Sequence, residues 1–202
     1  MFPSTKEGLA VILNGQFPKP TGEELYQRFM KGDTSAFETL VSLYEPTLSL
    51  FINSIVHDHH EAKHLTIETF AKLAAGSGQF LKKSSLKTYL FAIGKNLAIK
   101  YSKMRGREAH LSFEESISAL FDENQTPERV TEREESRRLI HESMKGLKDD
   151  YRVVLELLYF DDMSYIEAGR VMKKSAKQIS DLAYRAKTSL KKKLEGEGLT
   201  DV

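Results

Sequence analysis

The sequence predicts an all-α protein made of two small helical domains that are joined by an acidic linker. Apolar residues recur with helical spacing along most of the 202-residue chain, and no run alternates polar and apolar residues as a strand would. A hydroxyl residue followed three positions later by Glu or Gln marks helix starts at Thr21, Ser164 and Ser175. The third observation that supports this fold class is the distribution of charge.

The net charge of +1 conceals three segments of alternating sign. Residues 22–107 carry 12 basic and 8 acidic side chains, residues 108–150 carry 6 and 12, and residues 151–195 carry 10 and 6. No acidic residue follows Thr69 before Glu108. Two basic segments on either side of an acidic one indicate two modules that face nucleic acid and a connector that avoids phosphates.

These segments predict the organisation of the chain. Residues 1–21 form an N-terminal extension of unknown role, and residues 22–107 form the first domain. An acidic linker covers residues 108–130, the second domain covers residues 131–195, and residues 196–202 are a tail.

Composition excludes several classes of protein. The chain has no cysteine, so disulfides, thiolate metal sites and thiol catalysis are absent. The apolar patch Leu9–Leu13 is too short to span a membrane and lacks the features of a signal peptide, so a cytoplasmic protein is expected. Phosphate-binding glycine loops and nucleophile elbows are also missing, and we expect no catalytic residue and no cofactor.

In the first domain, capping residues and glycines predict the helix boundaries. Thr21 begins a first helix and Asp33 a second, in which Pro46 marks a bend or a boundary. A third helix covers Glu61 to Ala75 and ends at Gly76-Ser-Gly78.

The next helix is basic and contains Leu86–Tyr101. Its predicted core stripe consists of Leu86, Leu90, Ile93, Leu97, Tyr101 and Met104. Phe91 lies off this stripe, so it either packs on a second element or is offered to a ligand. Binding of a polyanion explains the basic face best, and an ordinary solvated face is the alternative.

The second domain has the spacing of a helix-turn-helix. Ser164 begins a short helix that runs through Met172, and Ser175 begins a long one. The long helix is two-faced. Its inner face holds Ile179, Leu182, Ala183, Ala186, Leu190 and Leu194, and its outer face holds Lys177, Asp181, Tyr184, Arg185, Thr188, Lys191 and Lys192. The outer face suits duplex DNA, although a solvated helix of a small bundle would look similar.

Four motifs in one order resemble the bacterial RNA polymerase sigma factors of the extracytoplasmic-function type. They are Lys31-Gly-Asp…Tyr44, Glu61-Ala-Lys-His-Leu-Thr-Ile-Glu-Thr-Phe70, Ser85…Tyr101, and Leu147…Tyr159 with Ser164…Lys187. The resemblance covers about residues 22–194. It implies a first domain like sigma region 2 and a second like the region 4 helix-turn-helix, and it identifies the chain as a divergent member.

The resemblance implies three sets of site residues. Core polymerase would be bound by His64, Leu65, Glu68, Thr69 and Phe70. The opened −10 promoter strand would be bound by Phe80, Lys82, Lys83, Ser84, Ser85, Lys87, Tyr89, Asn96, Lys100, Lys103, Arg105 and Arg107. The −35 duplex would be bound by Ser175, Lys177, Gln178, Asp181, Tyr184, Arg185 and Thr188. Implied partners are the polymerase core, promoter DNA as duplex and single strand, and an anti-sigma factor, without membrane insertion.

Three alternatives remain open at this level. A stand-alone helix-turn-helix regulator would bind duplex DNA without polymerase. A metal-dependent enzyme is suggested by the histidine cluster His57–His64, in which His60 and His64 are one helical turn apart, but we expect no metal site. An interaction protein could use the sigma fold without initiating transcription, because the family usually has an acidic residue at the position of His64 and Gln at that of Ile67.

Overall fold

The computed structural model describes residues 19–76, 80, 83–111, 144 and 146–196, with only the backbone for 106–111. Regular structure in these ranges is entirely helical, which confirms the predicted fold class. The elements are α1 (Gly22–Met30), α2 (Thr34–Val56), α3 (His59–Ala74), α4 (Leu86–Leu111), α5 (Asp149–Leu155), a π-helical turn (Glu156–Phe160), α6 (Tyr165–Met172) and α7 (Ala176–Gly196).

The contacts divide the chain into two compact units, Met1–Tyr44 and Glu45–Val202. The N-terminal extension through residue 18 and the tail beyond Gly196 lie outside the described residues. So does the predicted linker (108–130) except for its first four residues, which continue α4. The predicted division into two domains therefore stays a prediction.

Side-chain caps are present at the helix starts that the sequence predicted. Thr21 Oγ1 accepts from the Glu24 amide at 3.2 Å, and the Glu24 carboxylate accepts from the Thr21 amide at 2.8 Å. Asp33 Oδ1 accepts from the Ala36 amide at 3.2 Å and thus caps α2. These bonds satisfy amides that have no partner within their own helix.

Helix α2 continues through Pro46, so a boundary at that residue is wrong. Leu48, Phe51 and Ile52 follow it, and each is at most 1% exposed. Burial of these three side chains stabilises the helix beyond the proline by more than the lost hydrogen bond costs. Among the described helices, α2 is the one whose length and composition would also suit a membrane span, and 44% of its apolar window is buried.

The second half of α2 packs closely on α4. Phe51 and Phe91 place their ring centroids 4.9 Å apart, so Phe91 packs on a second element. A Cβ on Gly94 would lie 3.1 Å from the Cδ1 atoms of both Leu48 and Ile52. The missing side chain at Gly94 therefore permits the close approach of the two helices.

The buried face of α4 is rotated from the predicted stripe. Leu86 and Leu90 are fully buried as expected, and Ala98 is buried with them. Met104 is 52% exposed, so its assignment to the core was wrong. Because α4 packs on more than one neighbouring helix, its core face is broader than a single stripe, and this face does not include Met104.

The C-terminal helices form the predicted helix-turn-helix. Ser164 and Glu167 cap α6 reciprocally, and Ser175 and Gln178 do the same for α7. Lys173 adopts a left-handed conformation (φ 56°) in the turn. Helix α7 packs on both α5 and α6. Its inner face is buried through Ala186, as the sequence predicted.

Helix α6 also packs against α4. This contact joins an element of the predicted first domain to an element of the second. No sequence pattern predicted it.

Candidate nucleic-acid interface

Helix α7 presents its predicted DNA-binding residues on one continuous surface. All of the −35 set are exposed, namely Ser175, Lys177, Gln178, Asp181, Tyr184, Arg185 and Thr188. Among the large apolar residues that the structure describes, Tyr184 is the most exposed, at 74%. An exposed basic helix whose opposite face is buried fits insertion into a major groove.

Several of these side chains already have hydrogen bonds within the helix. Ser175 and Gln178 hold each other at the start of α7, with bonds of 2.8 and 3.2 Å. Arg185 Nε donates to the Asp181 carbonyl at 3.2 Å. Ser175 and Gln178 therefore stabilise the helix start, while the Arg185 guanidinium keeps further donors for an external acceptor.

A cavity of about 370 Å³ with a lining of mixed charge lies beside this surface. Its lining includes Lys148, Lys174 and Arg185 together with Asp150 and Asp181. Lys174 and Asp150 form an ion pair at 3.4 Å across it. The cavity lies between residues of α7 and residues of α5.

Helix α4 exposes the other basic surface. Asn96, Lys100, Lys103 and Arg105 are all exposed, and Arg105 lies 3.3 Å from Asp58. The backbone amide of Glu61 is the main cause that lowers the pKa of Asp58, which also caps α3. The outer turns of α4 thus present the side-chain amide of Asn96 and the cationic side chains of Lys100, Lys103 and Arg105, which can contact phosphates. The Arg107 side chain lies outside the described residues.

The loop before α4 brings an aromatic pair to the same region. The rings of Phe80 and Tyr89 lie 5.6 Å apart, and both residues are partly exposed. Lys83 is exposed and Ser84 is partly buried, whereas Lys82 lies outside the described residues. Partly exposed rings beside a lysine suit stacking on unpaired bases.

Two predicted −10 residues are partly buried in contacts with the C-terminal part of the chain. Lys87 donates to the backbone carbonyl of Asp161 and lies 3.8 Å from its carboxylate. Ser85 Oγ donates to Glu167 Oε1 at 3.1 Å. These partners are more than 70 residues away in the sequence, and no local signal could have identified them.

Lys95 is a second basic residue that does not face solvent. It is 9% exposed, and among the described residues its ammonium has no hydrogen bond or ion pair. Burial lowers its pKa, and Asp150, Lys173 and Lys174 are close enough to act on it electrostatically. Lys95 lies outside the core stripe that the sequence predicted for this helix.

The predicted core-binding segment lies on α3, where only part of it is accessible. Leu65, Thr69 and Phe70 are at most 8% exposed, and Thr69 Oγ1 donates to the Leu65 carbonyl at 2.7 Å. They lie in the core and position the helix. His64 and Glu68 are exposed, and between them Ile67 is 68% exposed. Spacing of three and four residues could have placed Ile67 on this face.

The histidine cluster does not form a metal site among the described residues, where no group of three or more histidine, aspartate or glutamate side chains could hold an ion. His57 instead has a positive φ of 56° in the turn between α2 and α3. The position of the histidines at this turn, where polar residues are expected, is sufficient to explain the cluster.

Known proteins are similar to this chain over most of its length. The RNA polymerase sigma-H factor of Pseudomonas aeruginosa is 29% identical over 180 residues, which are 86% of this chain and 93% of that protein. ECF RNA polymerase sigma-E factors of Escherichia coli and Salmonella typhimurium are 25% identical over 182 residues, which are 87% of this chain and 95% of each relative. No protein-family model matches the chain.

Two solved structures have a similar fold. One is the sigma factor RpoE in complex with the anti-sigma factor NepR from Bartonella quintana, with a TM-score of 0.64 and 24% identity over 79% of this chain and 96% of that one. The other is CnrH in complex with the cytosolic domain of CnrY, with a TM-score of 0.62 and 22% identity over 85% and 96%.

Proposed function

Because the chain is a transcription initiation factor of the extracytoplasmic-function sigma type, we propose that it binds the core of bacterial RNA polymerase and directs it to promoters. It recognises −10 and −35 elements and helps to open the DNA. The observation that carries this proposal is the extent of the similarity, which includes both basic segments in the same order. A stand-alone regulator would need only the helix-turn-helix.

In this function α7 contacts the −35 duplex. Gln178 and Asp181 lie near the start of the helix, where side chains meet base edges, and Arg185 lies one turn later, where it contacts phosphate. Their exposure and the buried opposite face support this assignment.

Helix α4 and the preceding loop bind the opened −10 strand. Lys100 and Lys103 are exposed and neutralise phosphates, while Phe80 and Tyr89 stack on bases. Unstacking a base costs a few kcal/mol, so the aromatic pair has to supply comparable contacts.

The polymerase core contacts α3 through His64, Ile67 and Glu68. These three side chains are exposed on one face, whereas Leu65, Thr69 and Phe70 support the helix from within. An exposed isoleucine between two polar residues suits the apolar centre of a protein interface. Ile67 would therefore make a hydrophobic contact at the position where the family usually has a polar Gln.

An anti-sigma factor is part of the proposal, because both similar solved structures are complexes, with NepR and with the cytosolic domain of CnrY. The protein acts in the cytoplasm, where the polymerase is. It contributes binding and positioning of DNA, with no catalytic step of its own.

The test is titration of the purified protein against bacterial RNA polymerase core, followed by run-off transcription from a genomic fragment library. Submicromolar binding together with new, discrete start sites is the expected result. Failure to bind core, with affinity for duplex DNA retained, would instead identify a stand-alone regulator.

A further inference from the structure

Asp181 is an exposed carboxylate on a surface of α7 that otherwise suits phosphates. Lys177 and Arg185 lie four residues before and after it, and both are exposed as well. Among the described residues the Asp181 carboxylate has no hydrogen bond or ion pair, because Arg185 donates to the Asp181 carbonyl instead. Phosphate repels a carboxylate, so Asp181 does not contribute to binding of the DNA backbone. The groups of DNA that suit it are the amino groups of the bases.

The major groove offers two such amino groups, N4 of cytosine and N6 of adenine. The adenine amino group lies beside N7, an acceptor whose lone pair repels a carboxylate. The cytosine amino group has no acceptor of its own base beside it in the groove. Cytosine is therefore the better partner for Asp181, which can only accept.

Gln178 presents the opposite polarity. Its Oε1 atom accepts from the Ser175 amide at 2.8 Å, and its own backbone amide donates to Ser175 Oγ at 3.2 Å. Because a backbone amide can only donate, the oxygen of the Gln178 side chain has to face Ser175, and its NH₂ group is left for a ligand. Reading adenine requires both ends of a glutamine amide. An amide that is engaged through its oxygen suits guanine, whose N7 and O6 both accept.

The two side chains lie three residues apart on one helix, a rise of about 4.5 Å, which is close to the spacing of about 3.4 Å between base pairs. We propose that Asp181 accepts from N4 of a cytosine and that Gln178 donates to N7 and O6 of a guanine in the neighbouring base pair. Asp181 and Gln178 would then select two adjacent C·G pairs in the −35 duplex. The assignment of these bases to the −35 element rests on the proposed function.

The first experiment identifies the bases. The protein assembled with core polymerase selects from duplexes that are randomised over a short segment upstream of a fixed −10 region. Asp181→Ala should lose the preference for cytosine at one position and keep the preferences elsewhere. Asp181→Asn should select adenine there, because asparagine pairs with both N6 and N7. Glu195→Gln is the matched control, since it removes the same charge from an exposed position near the end of α7 and should select the parent's bases.

The second experiment tests the contacts themselves on the selected duplex. Replacing the cytosine by 2-pyrimidinone deletes the amino group, and this change should weaken binding by the parent about tenfold more than binding by Asp181→Ala. Replacing the guanine by 7-deazaguanine deletes N7. Gln178→Glu keeps the oxygen that caps the helix but has no amide hydrogens, so it should not show the parent's loss of affinity on the 7-deazaguanine duplex.

Selection of the same bases by the parent and by Asp181→Ala would overturn the assignment. So would equal losses of affinity by these two proteins on the 2-pyrimidinone duplex. Loss of preference at every position would also contradict it, because a base contact acts at one position.

The proposed function can fail separately. If the protein does not bind core, the same selection is made with the full chain alone. A preference for cytosine that depends on Asp181 would then keep the base assignment and disprove the role in polymerase. Core binding with discrete start sites, but without any dependence on Asp181, would keep that role and overturn the base assignment.

Discussion

A Cβ atom on Gly169 would lie 2.6 Å from the carbonyl oxygen of Lys174. Gly169 lies in α6 and Lys174 lies in the turn that follows it, and the Lys174 amide donates to the Gly169 carbonyl at 2.9 Å. The angle between α6 and α7 therefore depends on a backbone contact that only glycine allows.

Gly169→Ala should destabilise the C-terminal helices by about 1–2 kcal/mol. The methyl group has to displace backbone, which costs more than the improved helix propensity returns. Urea unfolding followed by circular dichroism measures the change. Gly196→Ala is the control, because a Cβ there meets nothing within 4 Å, and its effect should stay within about 0.5 kcal/mol.

Ile67→Ala should weaken binding to core polymerase by about tenfold, since a buried isoleucine contributes about 1.5–3 kcal/mol. Fluorescence titration against core measures it. Leu50→Ala removes a comparably exposed side chain from α2 and should leave the affinity unchanged. Equal affinities for the parent and the Ile67→Ala variant would remove Ile67 from the interface.

Lys100→Glu combined with Lys103→Glu should abolish promoter opening and leave core binding intact, because both side chains are exposed and neither belongs to the proposed core-binding face of α3. Permanganate footprinting of the opened strand measures the first effect and titration with core the second. Lys100→Arg with Lys103→Arg keeps the charges and should keep opening. Opening by the doubly acidic variant would refute the strand-binding role.

Arg185→Ala should weaken binding to −35 duplex DNA and reduce the salt dependence of the affinity by about one counterion. Affinities measured over a series of salt concentrations give the slope. Arg185→Lys retains a cation and should retain the slope. An unchanged slope in the alanine variant would argue against a phosphate contact.

The pKa of Asp33 should lie well below that of an ordinary aspartate. Hydrogen bonds from Ser35, then Arg28 and the Ala36 amide, lower its pKa from 3.8 to about 2. Because the pKa is lower in the folded state, its contribution to stability is complete above pH 3.8 and is lost as the pH falls towards 2. NMR titration of the carboxyl carbon measures the pKa.

Ser35→Ala should raise that pKa towards 3.8. Ser42→Ala is the control, since Ser42 donates to the Glu38 carbonyl and has no bond to Asp33. A shift of the Asp33 pKa in the Ser42 variant as large as in the Ser35 variant would contradict the assigned cause.

Part of the site could be predicted and part could not. The outer face of α7 was predicted because its period is that of a helix and its charges alternate with the buried residues Ile179, Leu182 and Ala183. The accessible face of α3 was predicted incompletely, since Leu65 and Phe70 match the family segment but lie in the core. A motif identifies a segment, and only packing decides which of its side chains reach the surface.

The sequence by itself determined the helix starts at Thr21, Ser164 and Ser175, the segregation of charge and the helix-turn-helix. The helix starts are encoded by residues three positions apart, and the other two features are encoded by patterns that run along continuous segments of the chain. The tertiary structure decided the buried face of α4, the close approach of α2 and α4 at Gly94, and the contact of Ser85 with Glu167, which are 82 residues apart. Such contacts depend on how whole helices pack, and their free energy comes from pairings for which the chain carries no local pattern.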